Sequence, residues 1–509
     1  MFGQVSTLTY QGIDAKPVTA QAQLSGGQFA FVIVGLPDKA VTESRERVRA
    51  ALHSLGIGLP PKHITISLAP ADLPKEGSHF DLPIVLALLV ACGVIPQDAL
   101  NDYCAIGELA LDGSIATVIG ALPAAIGANA LGKGLICPAA CGAEAAWASE
   151  EMDILAPDHL LALVNHFKGL QSLRRPVPST REAERSLADL RDIRGQESAK
   201  RALEVVAAGG HNLLMVGPPG SGKSMLAARL PGILPPLSPA EMLEVSMIHS
   251  LAGELSDGAL TTHRPFRAPH HSASMAALVG GGVRPRPGET SLAHLGVLFL
   301  DELPEFSPYA LDALRQPLEA GETVIARANH RTTYPSRLQL VAAMNPCKCG
   351  HYTPGTTCKR GRNCAAKYQG RVSGPLLDRI DVRIEVPAVS VSDLAAPEPS
   401  EGSAEVARRV ATARARQRVQ FDALGLARLH TNAHVDGHLL DRVAPLEEAA
   451  RELLQLAAGR LGLTARGYHR TLRLARTIAD LDEADTLARI HVAEALSYRG
   501  ETSMLANAA

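Results

Sequence analysis

The sequence predicts an α/β fold in which a parallel sheet flanked by helices forms the central domain. Three short apolar runs predict it, namely LLMV at 213–216, VLFL at 297–300 and RLQLVAAM at 337–344. Continuous apolar runs of this length are typical of strands buried on both faces of a parallel sheet. Ligands of such sheets bind beyond the carboxyl ends of the strands, so the polar residues after each run are candidate site residues.

The composition is that of a globular protein whose charge is balanced. The chain has 509 residues, of which 46% are hydrophobic and 20% are charged, and its net charge is −2. This length predicts about three domains, and the balanced charge means that any nucleic-acid surface is local. The longest apolar run, 83–96, is too short to span a bilayer, and no N-terminal targeting pattern precedes it. We therefore expect a cytoplasmic protein with reduced cysteines and no membrane partner.

Residues 1–168 predict a first domain that mixes strands and helices. The stretches VSTLTYQGI, KPVTAQAQL, FAFVIVGL and HITISLAP have strand patterns. TESRERVRAALHSLGI has the pattern of an amphipathic helix, and a second, apolar helix begins near Asp81. The segments PKEGSHFDLPIVLAL and GELALDGSIATVIGALPAA give this block a resemblance to the Lon-type protease fold.

The block departs from that resemblance at the catalytic positions. The alignment places His79 where the protease family has its nucleophile and Pro123 where it has its catalytic lysine. Proline has no amine to act as a base, so a Ser-Lys dyad cannot form. Ser78 lies one residue away from the nucleophile position and has no evident base in the sequence. We expect the fold to be kept without the peptidase activity.

A polar stretch with two prolines, residues 169–188, predicts a linker to the central domain. Beyond it, the first of the three apolar runs leads into the pattern G-x-x-x-x-G-K-S and then into MLAARL, which favours a helix. The loop consists of Gly217, Pro218, Pro219, Gly220, Ser221, Gly222, Lys223 and Ser224.

This loop pattern predicts a site for ATP and Mg²⁺. Its glycines lack a Cβ atom, so the backbone N–H groups can turn inward around a polyphosphate. Lys223 is expected to reach the β- and γ-phosphates, and the Ser224 hydroxyl to bind Mg²⁺. The helix that follows places the phosphates at its positive N-terminus. The alternative, a glycine-rich turn without a ligand, does not explain the strand before the loop and the helix after it.

Two acidic residues, Asp301 and Glu302, follow the second apolar run directly. We expect Asp301 to orient the water shell of Mg²⁺ and Glu302 to polarise the water that attacks ATP. An acidic pair after a strand is by itself often a solvated turn. The nucleotide-loop pattern upstream favours the catalytic interpretation here.

Further motifs resemble those of AAA+ ATPases. Asn345 lies where that class has its sensor 1 amide, which positions the attacking water. Arg379, in SGPLLDRIDV, resembles an arginine finger that acts on the γ-phosphate of a neighbouring subunit, although a surface ion pair is the simpler interpretation. Arg466, in LGLTARGYHRTLRLARTIADL, matches sensor 2, with Arg470 and Arg473 as substitutes. A finger that acts on a neighbour implies a ring.

The combined motifs look like those of the ComM (YifB) group of bacterial magnesium-chelatase-like AAA+ ATPases. They are RPFRAPHHSASMAALVGGG, PGETSLAHLGVLFLDELPEF, the cysteine-bearing segment and SGPLLDRIDV. The resemblance implies an AAA+ P-loop core with a helical lid, preceded by an α+β Lon-C/ribosomal-S5-like domain. The predicted ranges are 1–168 for the first domain, 169–188 for the linker, 189–395 for the core with a cysteine-bearing insertion at 347–364, and 396–509 for the lid.

The same resemblance implies a function that composition alone does not show. It implies a homo-hexameric ring that hydrolyses ATP to ADP and phosphate and moves on single-stranded and branched DNA. Such a motor is a helicase that drives branch migration of recombination intermediates during natural transformation, and recombination proteins are candidate partners.

Three other interpretations stay open. A magnesium-chelatase motor subunit needs a partner with an integrin-type metal site, and no D-x-S-x-S pattern occurs in this chain. An ATP-dependent protease or remodelling protein is opposed by His79 and Pro123 at the dyad positions. A scaffold that only binds nucleotide is opposed by the complete set of acidic and arginine motifs.

Four of the eight cysteines lie in one segment with the spacing C-x-C-x8-C-x5-C. They are Cys347, Cys349, Cys358 and Cys364. Four thiolates on one segment are candidate ligands for a tetrahedral Zn²⁺, with His351 as a spare ligand. Four reduced, unliganded thiols are the alternative, because the C-x-C half is tighter than the usual two-residue gap. The other cysteines are scattered over the first domain and predict core or surface thiols: Cys92, Cys104, Cys137 and Cys141.

Two segments are candidate DNA contacts or metal sites. GETVIARANHRTTYPSRLQL predicts a hairpin with Arg327, His330 and Arg331 around its tip, and in related AAA+ helicases a hairpin at this place grips phosphates inside the pore. HRPFRAPHHSAS carries His270 and His271, which indicate a metal pair or, with no partner ligands nearby, an ordered loop. The basic pattern EVARRVATARARQRVQ predicts a helix whose arginines face either solvent, a neighbouring subunit or DNA.

Overall fold

A computed structural model describes residues 1–179, 188–255, 258–282, 286–326, 331–350, 358, 363–390, 393, 395, 397–426 and 428–499. Contacts divide the chain into two compact units. The first unit comprises Met1–Glu182, Pro239–Thr261 and Ala326–Tyr334. The second comprises Ala183–Ser238, Thr262–Ile325 and Pro335–Ala509. Within the described ranges no helix has the length and apolar character needed to cross a membrane.

The first unit is built on a seven-stranded sheet and a smaller two-stranded sheet. They are β1 (Phe2–Gln11), β2 (Asp14–Ser25), β3 (Ala30–Val34), β4 (His63–Ala69), β5 (Tyr103–Ala105), β6 (Glu108–Leu109), β7 (Ile115–Ala116), β8 (Gly134–Ile136) and β9 (Ile154–Leu155). The helices of the same part are α1 (Lys39–Ser54), α2 (Asp81–Ala91), α3 (Ala121–Ala130), α4 (Gly142–Ala145) and α5 (Leu160–Phe167). The main sheet has the order β3-β4-β2-β1-β5-β8-β9, while β6 pairs with β7. The strands and helices predicted for the start of the chain are confirmed by β1 to β4, α1 and α2.

The two faces of this sheet bury different clusters. Val5 and Leu8 of β1 lie three positions apart, so their side chains point to opposite faces of the sheet. Val5 packs in one cluster with α2, and Leu8 packs in another with α3. Every residue of α2 is buried, which is why its sequence is apolar all round. The sheet therefore forms the middle layer of an α+β unit, as predicted.

A buried carboxylate ties three elements of this unit together. Asp81, in the first turn of α2, is fully buried and accepts hydrogen bonds from Arg47 Nε at 2.6 Å and Nη2 at 2.9 Å. The hydroxyl of Ser44 and the backbone N–H of Leu109 also donate to it. Because Arg47 and Ser44 lie on α1 and Leu109 lies on β6, the network fixes both elements to the start of α2.

From residue 188 onward the strands are β10 (Leu213–Val216), β11 (Phe266–Arg267), β12 (Val297–Leu300), β13 (Glu322–Ala326), β14 (Arg331–Pro335), β15 (Gln339–Met344) and β16 (Val382–Glu385). The helices are α6 (Glu197–Gly209), α7 (Lys223–Ile233), α8 (Pro239–Ala252), α9 (Met275–Val279), α10 (Glu289–Leu292), α11 (Pro308–Ala313), α12 (Arg315–Ala320), α13 (Cys364–Gln369), α14 (Gly374–Leu377), α15 (Ser403–Ala423), α16 (Leu440–Val443), α17 (Glu448–Leu461), α18 (Ala465–Leu481) and α19 (Arg489–Ser497). Five of these strands form a wholly parallel sheet in the order β11-β12-β15-β10-β16. β13 and β14 form a separate two-stranded sheet.

The parallel sheet is the core of the second unit and is buried on both faces. Leu213 and Met215 pack into a cluster with α6, α7 and the C-terminal helices, whereas Leu214 packs into a cluster on the other face with Leu298 and Leu340. Among the C-terminal helices, α15 packs on α6 and α7, and α18 packs on α6. All three apolar runs are strands, as predicted, and they lie side by side as β12, β15 and β10.

Two segments group differently from the predicted ranges, which assigned both to the central domain. Helix α8 packs on α3 of the first unit, where the Ser250 hydroxyl donates to the Glu144 carboxylate and the N–H of Gly120 donates to the Ser250 carbonyl at 3.2 Å. Thr333 of β14 lies close to Gly12. A Cβ atom added to Gly12 would lie 2.4 Å from the carbonyl oxygen of Thr333. Local patterns do not reveal such partners, which are distant in sequence.

We expect Arg47→Ala to destabilise the first unit by about 3–5 kcal/mol, because it leaves the Asp81 carboxylate buried without its cation. Trp147, the single tryptophan of the chain, belongs to this unit, so its fluorescence during urea unfolding reports on the unit directly. Arg45→Ala is the matched control, since the Arg45 side chain is 49% exposed and pairs with the exposed Glu46. Equal unfolding midpoints for the two variants would contradict the structural role of the buried pair.

Candidate active site

The loop between β10 and α7 depends on glycine at three positions, for two reasons. Gly220 and Gly222 have φ angles of 77° and 90°, in the left-handed region that residues with a side chain rarely adopt. At Gly217 the reason is space, since a Cβ atom there would lie 2.1 Å from the carbonyl oxygen of Val386. The loop therefore has the open backbone that the sequence pattern predicts for phosphate binding.

Lys223 is the first residue of α7, and its side chain folds back over the loop. Its Nζ donates to the carbonyl oxygens of Gly217 and Pro218, both at 2.8 Å, and lies 3.4 Å from Oδ1 of Asn345. Burial lowers the pKa of Lys223, and Asp301 opposes that shift. The ammonium group thus lies between the loop and the end of β15, where a γ-phosphate is expected.

Ser224 and Asp301 meet at the end of the sheet. The Ser224 hydroxyl donates to Oδ2 of Asp301 at 2.7 Å, which joins the start of α7 to the residue after β12. A hydroxyl and a carboxylate are oxygen ligands of the kind that Mg²⁺ prefers when it also binds phosphates. The donor set therefore fits the predicted Mg²⁺.

Glu302 has a constrained backbone and a partner that sequence reasoning missed. Its φ of 51° lies in the left-handed region, and its N–H donates to Oδ1 of Asp301 at 2.9 Å. Strained non-glycine residues of this kind cluster at active sites. The exposed carboxylate lies 3.5 Å from Nδ1 of His271, whose ring packs against that of His270 at 4.0 Å. The His270-His271 pair therefore contacts the predicted catalytic acid, and nothing in the local pattern indicates this.

Asn345 directly follows β15, and α13 holds the backbone just after it, because Gln369 Nε2 donates to the carbonyl oxygen of Pro346 at 2.8 Å. Burial, followed by the charges of Glu305 and Glu302, raises the pKa of Tyr368 to about 12. Tyr368, on α13 just after the cysteine-bearing insertion, is a second residue that sequence reasoning missed, because a single aromatic residue there gives no signal of its own.

The backbone of Arg379 lies at the amino ends of the strands, whereas the loop of the same chain lies at their carboxyl ends. The side-chain amide of Asn212, just before β10, donates to the Arg379 carbonyl at 2.8 Å, which places Arg379 at the amino ends of the strands. Its guanidinium pairs with Glu319 and donates to the carbonyl of Pro375, leaving 12% of the side chain exposed. Arg379 is therefore part of an ion pair within the chain.

The three sensor 2 candidates all lie on α18. Arg466 is exposed in the first turn of that helix. Arg470 and Arg473 are largely buried, and Arg470 Nε lies 3.9 Å from Asp381, which precedes β16 at the amino end of the sheet. Burial lowers the pKa of Arg473, and Asp381 opposes the shift. The structure does not bring Arg470 or Arg473 to the nucleotide loop of the same chain, which lies at the carboxyl ends.

The four clustered cysteines come together. Their sulfur atoms all lie within 4.8 Å of one another. His351, the spare ligand, lies outside the described residues. The remaining cysteines belong to the first unit, where Cys104, Cys137 and Cys141 are buried, as expected for core thiols, and Cys92 is partly buried.

The predicted hairpin is described in its strands and not at its tip. Arg331, the first residue of β14, is exposed. Arg327 and His330 lie outside the described residues.

Helix α15 carries the basic pattern near the C-terminus, and part of it is used within the second unit. Arg409 pairs with the buried Glu204, and Arg414 donates to a carbonyl oxygen of α6 at 2.7 Å. Arg408 and Arg418 are exposed. The helix therefore offers fewer available arginines than its sequence suggests.

The protease-like positions contain no Ser-Lys dyad. His79 is buried, its Nε2 lies 3.0 Å from the carbonyl oxygen of Leu8, and burial lowers its pKa to about 4. Pro123 is buried in α3. The Ser78 hydroxyl donates to Glu108, a partner that the sequence did not reveal.

Comparison with known proteins finds three family models that match successive parts of the chain. Residues 189–394 match the family described as magnesium chelatase, subunit ChlI. Residues 20–141 match subunit ChlI of Mg-chelatase, and residues 400–499 match its C-terminal family.

Individual relatives cover nearly the full length. The uncharacterized protein YifB of Escherichia coli is 44% identical over 502 residues, covering 98% of this chain and 97% of the relative. The competence protein ComM of Haemophilus influenzae is 43% identical over 500 residues, covering 97% and 96%. The magnesium-chelatase 38 kDa subunit of Rhodobacter capsulatus is 26% identical over 340 residues, covering 60% and 86%. With its parallel P-loop core and identities above 40% over the full length, the chain belongs to the YifB/ComM family of magnesium-chelatase-like AAA+ proteins.

Proposed function

We propose that the chain hydrolyses ATP with Mg²⁺ at the carboxyl end of its parallel sheet. The contact of Ser224 Oγ with Asp301 at 2.7 Å carries this proposal, because it forms an oxygen site for Mg²⁺ beside the loop. Lys223 neutralises phosphate charge, Glu302 accepts the proton of the attacking water, and Asn345 orients that water. In this proposal ATP is the substrate. Lys223 binds its phosphates, Asn345 orients the attacking water, and Glu302 accepts the proton of that water.

We further propose that hydrolysis drives movement on DNA as a hexamer, in branch migration of recombination intermediates. The similarity to a relative named competence protein ComM supports this choice over other uses of ATP. A ring would give a role to Arg379, whose backbone lies at the amino ends of the strands, away from the loop of its own chain.

A magnesium-chelatase motor subunit is the second candidate. The match of residues 189–394 to subunit ChlI favours it, and the identity of only 26% to the Rhodobacter capsulatus subunit argues against it. A four-way-junction migration assay beside a porphyrin metal-insertion assay separates the two functions.

Glu302→Gln is expected to keep ATP bound and to lower hydrolysis by about 10²-fold or more, because the amide cannot accept the proton of the attacking water. Lys223→Ala is expected to lose ATP binding itself. Binding of a fluorescent ATP analogue and release of phosphate measure the two effects separately. Glu322→Gln, at an exposed carboxylate of β13, is the control and should retain the wild-type rate. Wild-type hydrolysis by Glu302→Gln would remove Glu302 from the reaction.

Arg379→Ala is expected to lower turnover by about 10³-fold if the residue acts on a neighbouring γ-phosphate. The ion pair with Glu319 provides the matched control. Glu319→Gln breaks the pair and keeps the guanidinium, so it should leave turnover nearly unchanged. If both variants lose activity equally, the ion pair of Arg379 with Glu319 has a structural role within its own subunit, and the finger assignment is wrong.

Replacing Arg327 and Arg331 together by alanine is expected to leave basal ATP hydrolysis intact and to abolish its stimulation by DNA, as well as junction migration. Phosphate contacts carry no sequence information, so wild-type binding should tolerate any sequence and weaken steeply with salt. The paired variant Arg408→Ala/Arg418→Ala tests the exposed part of α15 in the same assays. Loss of DNA stimulation in this second variant alone would move the DNA surface from the hairpin to α15.

A further inference from the structure

The cysteine-bearing segment contains a metal site that the proposed reaction does not use. We propose that Cys347, Cys349, Cys358 and Cys364 bind one Zn²⁺, and that this ion holds the backbone around Asn345 and the nucleotide loop in place. The first half of the proposal is independent of the proposed function. The second half rests on ATP binding at the loop.

The separations of the sulfur atoms fit one four-coordinate ion. Cys347 and Cys349 lie 3.0 Å apart, Cys349 and Cys358 lie 2.8 Å apart, and Cys358 and Cys347 lie 3.8 Å apart. Tetrahedral zinc with Zn–S bonds of about 2.3 Å requires sulfur–sulfur separations of about 3.8 Å. The Cys347–Cys358 pair has this separation, and the two pairs that include Cys349 are shorter, so binding of the ion would move the Cys349 sulfur outward by about 1 Å. A disulfide needs a sulfur–sulfur bond of about 2.05 Å, so none of these three pairs is a disulfide.

The cluster is too compact for an iron–sulfur centre. In such centres the cysteines ligate different iron atoms, which separates their sulfurs beyond the 4.8 Å that encloses all four here. Cys347 and Cys358 are buried, and the set supplies four sulfur ligands with no position left for water. A closed four-thiolate set is typical of structural rather than catalytic zinc.

The site joins two segments that meet beside the sensor residue. Cys347 follows Asn345 by two residues at the end of β15, and Cys364 is the first residue of α13. From α13, Gln369 Nε2 donates to the carbonyl oxygen of Pro346, the residue directly after Asn345, at 2.8 Å. An ion that joins the two segments through Cys347 and Cys364 therefore fixes the backbone that aims Asn345 at Lys223.

The turn after Cys349 lies directly against the nucleotide loop. Gly350 has a φ of 78°, and a Cβ atom there would lie 2.6 Å from two ring carbons of Pro219. Pro219 belongs to the loop that is expected to enclose the phosphates. The four-sulfur site is thereby connected to the loop through one glycine contact, independently of its connection to Asn345.

The metal itself is tested on the full chain, purified anaerobically without added metal. We expect about one Zn²⁺ per chain, and loss of most of it in Cys347→Ser and Cys364→Ser. Cys92→Ser, at a partly buried thiol of the first unit, is the control and should keep the wild-type content. Because the serine variants can misfold, Co²⁺ exchanged into the wild-type protein gives a second readout, with the absorption of a tetrahedral thiolate complex expected. Absence of zinc together with no such spectrum, or iron in place of zinc, overturns the assignment.

The connection to the loop is tested with Gly350→Ala, which adds a Cβ atom against Pro219 and leaves the four cysteines in place. We expect unchanged zinc content and about tenfold weaker binding of a fluorescent ATP analogue, owing to strain passed to the loop. Gly462→Ala is the matched control, since Gly462 also has a positive φ, of 59°, and a Cβ atom there meets nothing within 4 Å. Unchanged affinity in Gly350→Ala overturns the connection, whereas a wild-type chain that binds zinc and no nucleotide would contradict the proposed function and leave the zinc site standing.

Discussion

The parallel register of β12, β15 and β10 is the constraint on which the site depends. Val216 pairs with Met344, and Leu300 pairs with Ala342. Gly217, Asn345 and Asp301 therefore all follow the carboxyl ends of neighbouring parallel strands. A slip of one residue would turn every side chain of a strand to the other face, and both faces are packed against buried clusters. The burial of the strands therefore fixes the distances on which Mg²⁺ and phosphate binding depend.

The polar residues of the second unit divide between the two ends of this sheet. The carboxyl ends hold the loop, Asp301, Glu302 and Asn345, whereas Arg379 lies at the amino ends beside the residue that precedes β10. The backbone of Arg379 is therefore separated from the loop of its own chain by the length of β10. The interaction between Arg379 and Glu319 stabilises the single chain, and opening that pair is a condition for any role on a neighbouring nucleotide.

The first unit keeps a layered α+β architecture without the chemistry of the protease fold that it resembles. A neutral, buried His79 occupies the nucleophile position and packs against Phe80 and Tyr10. Glu144 is buried too, and burial raises its pKa while the Ser250 hydroxyl and the Leu122 N–H stabilise its charge. Ser250 lies on α8, which follows the nucleotide loop in the sequence. The first unit therefore includes a helix that is distant in sequence from its other elements.

The local sequence by itself determined the parallel strands, the nucleotide loop, the acidic pair after β12 and the four-cysteine segment. Each of these features depends on residues that are close together in the sequence, so a short pattern is enough to indicate it. The convergence of Ser224 on Asp301 follows from the same patterns once the strands are known to be parallel neighbours. Only the tertiary structure decided that His271 faces Glu302, that Gln369 holds the backbone just after Asn345, that α8 belongs with the first unit and that Arg379 pairs with Glu319. Those contacts join residues far apart in sequence, and a side chain's partner across such a distance is set by packing and not by the residues beside it.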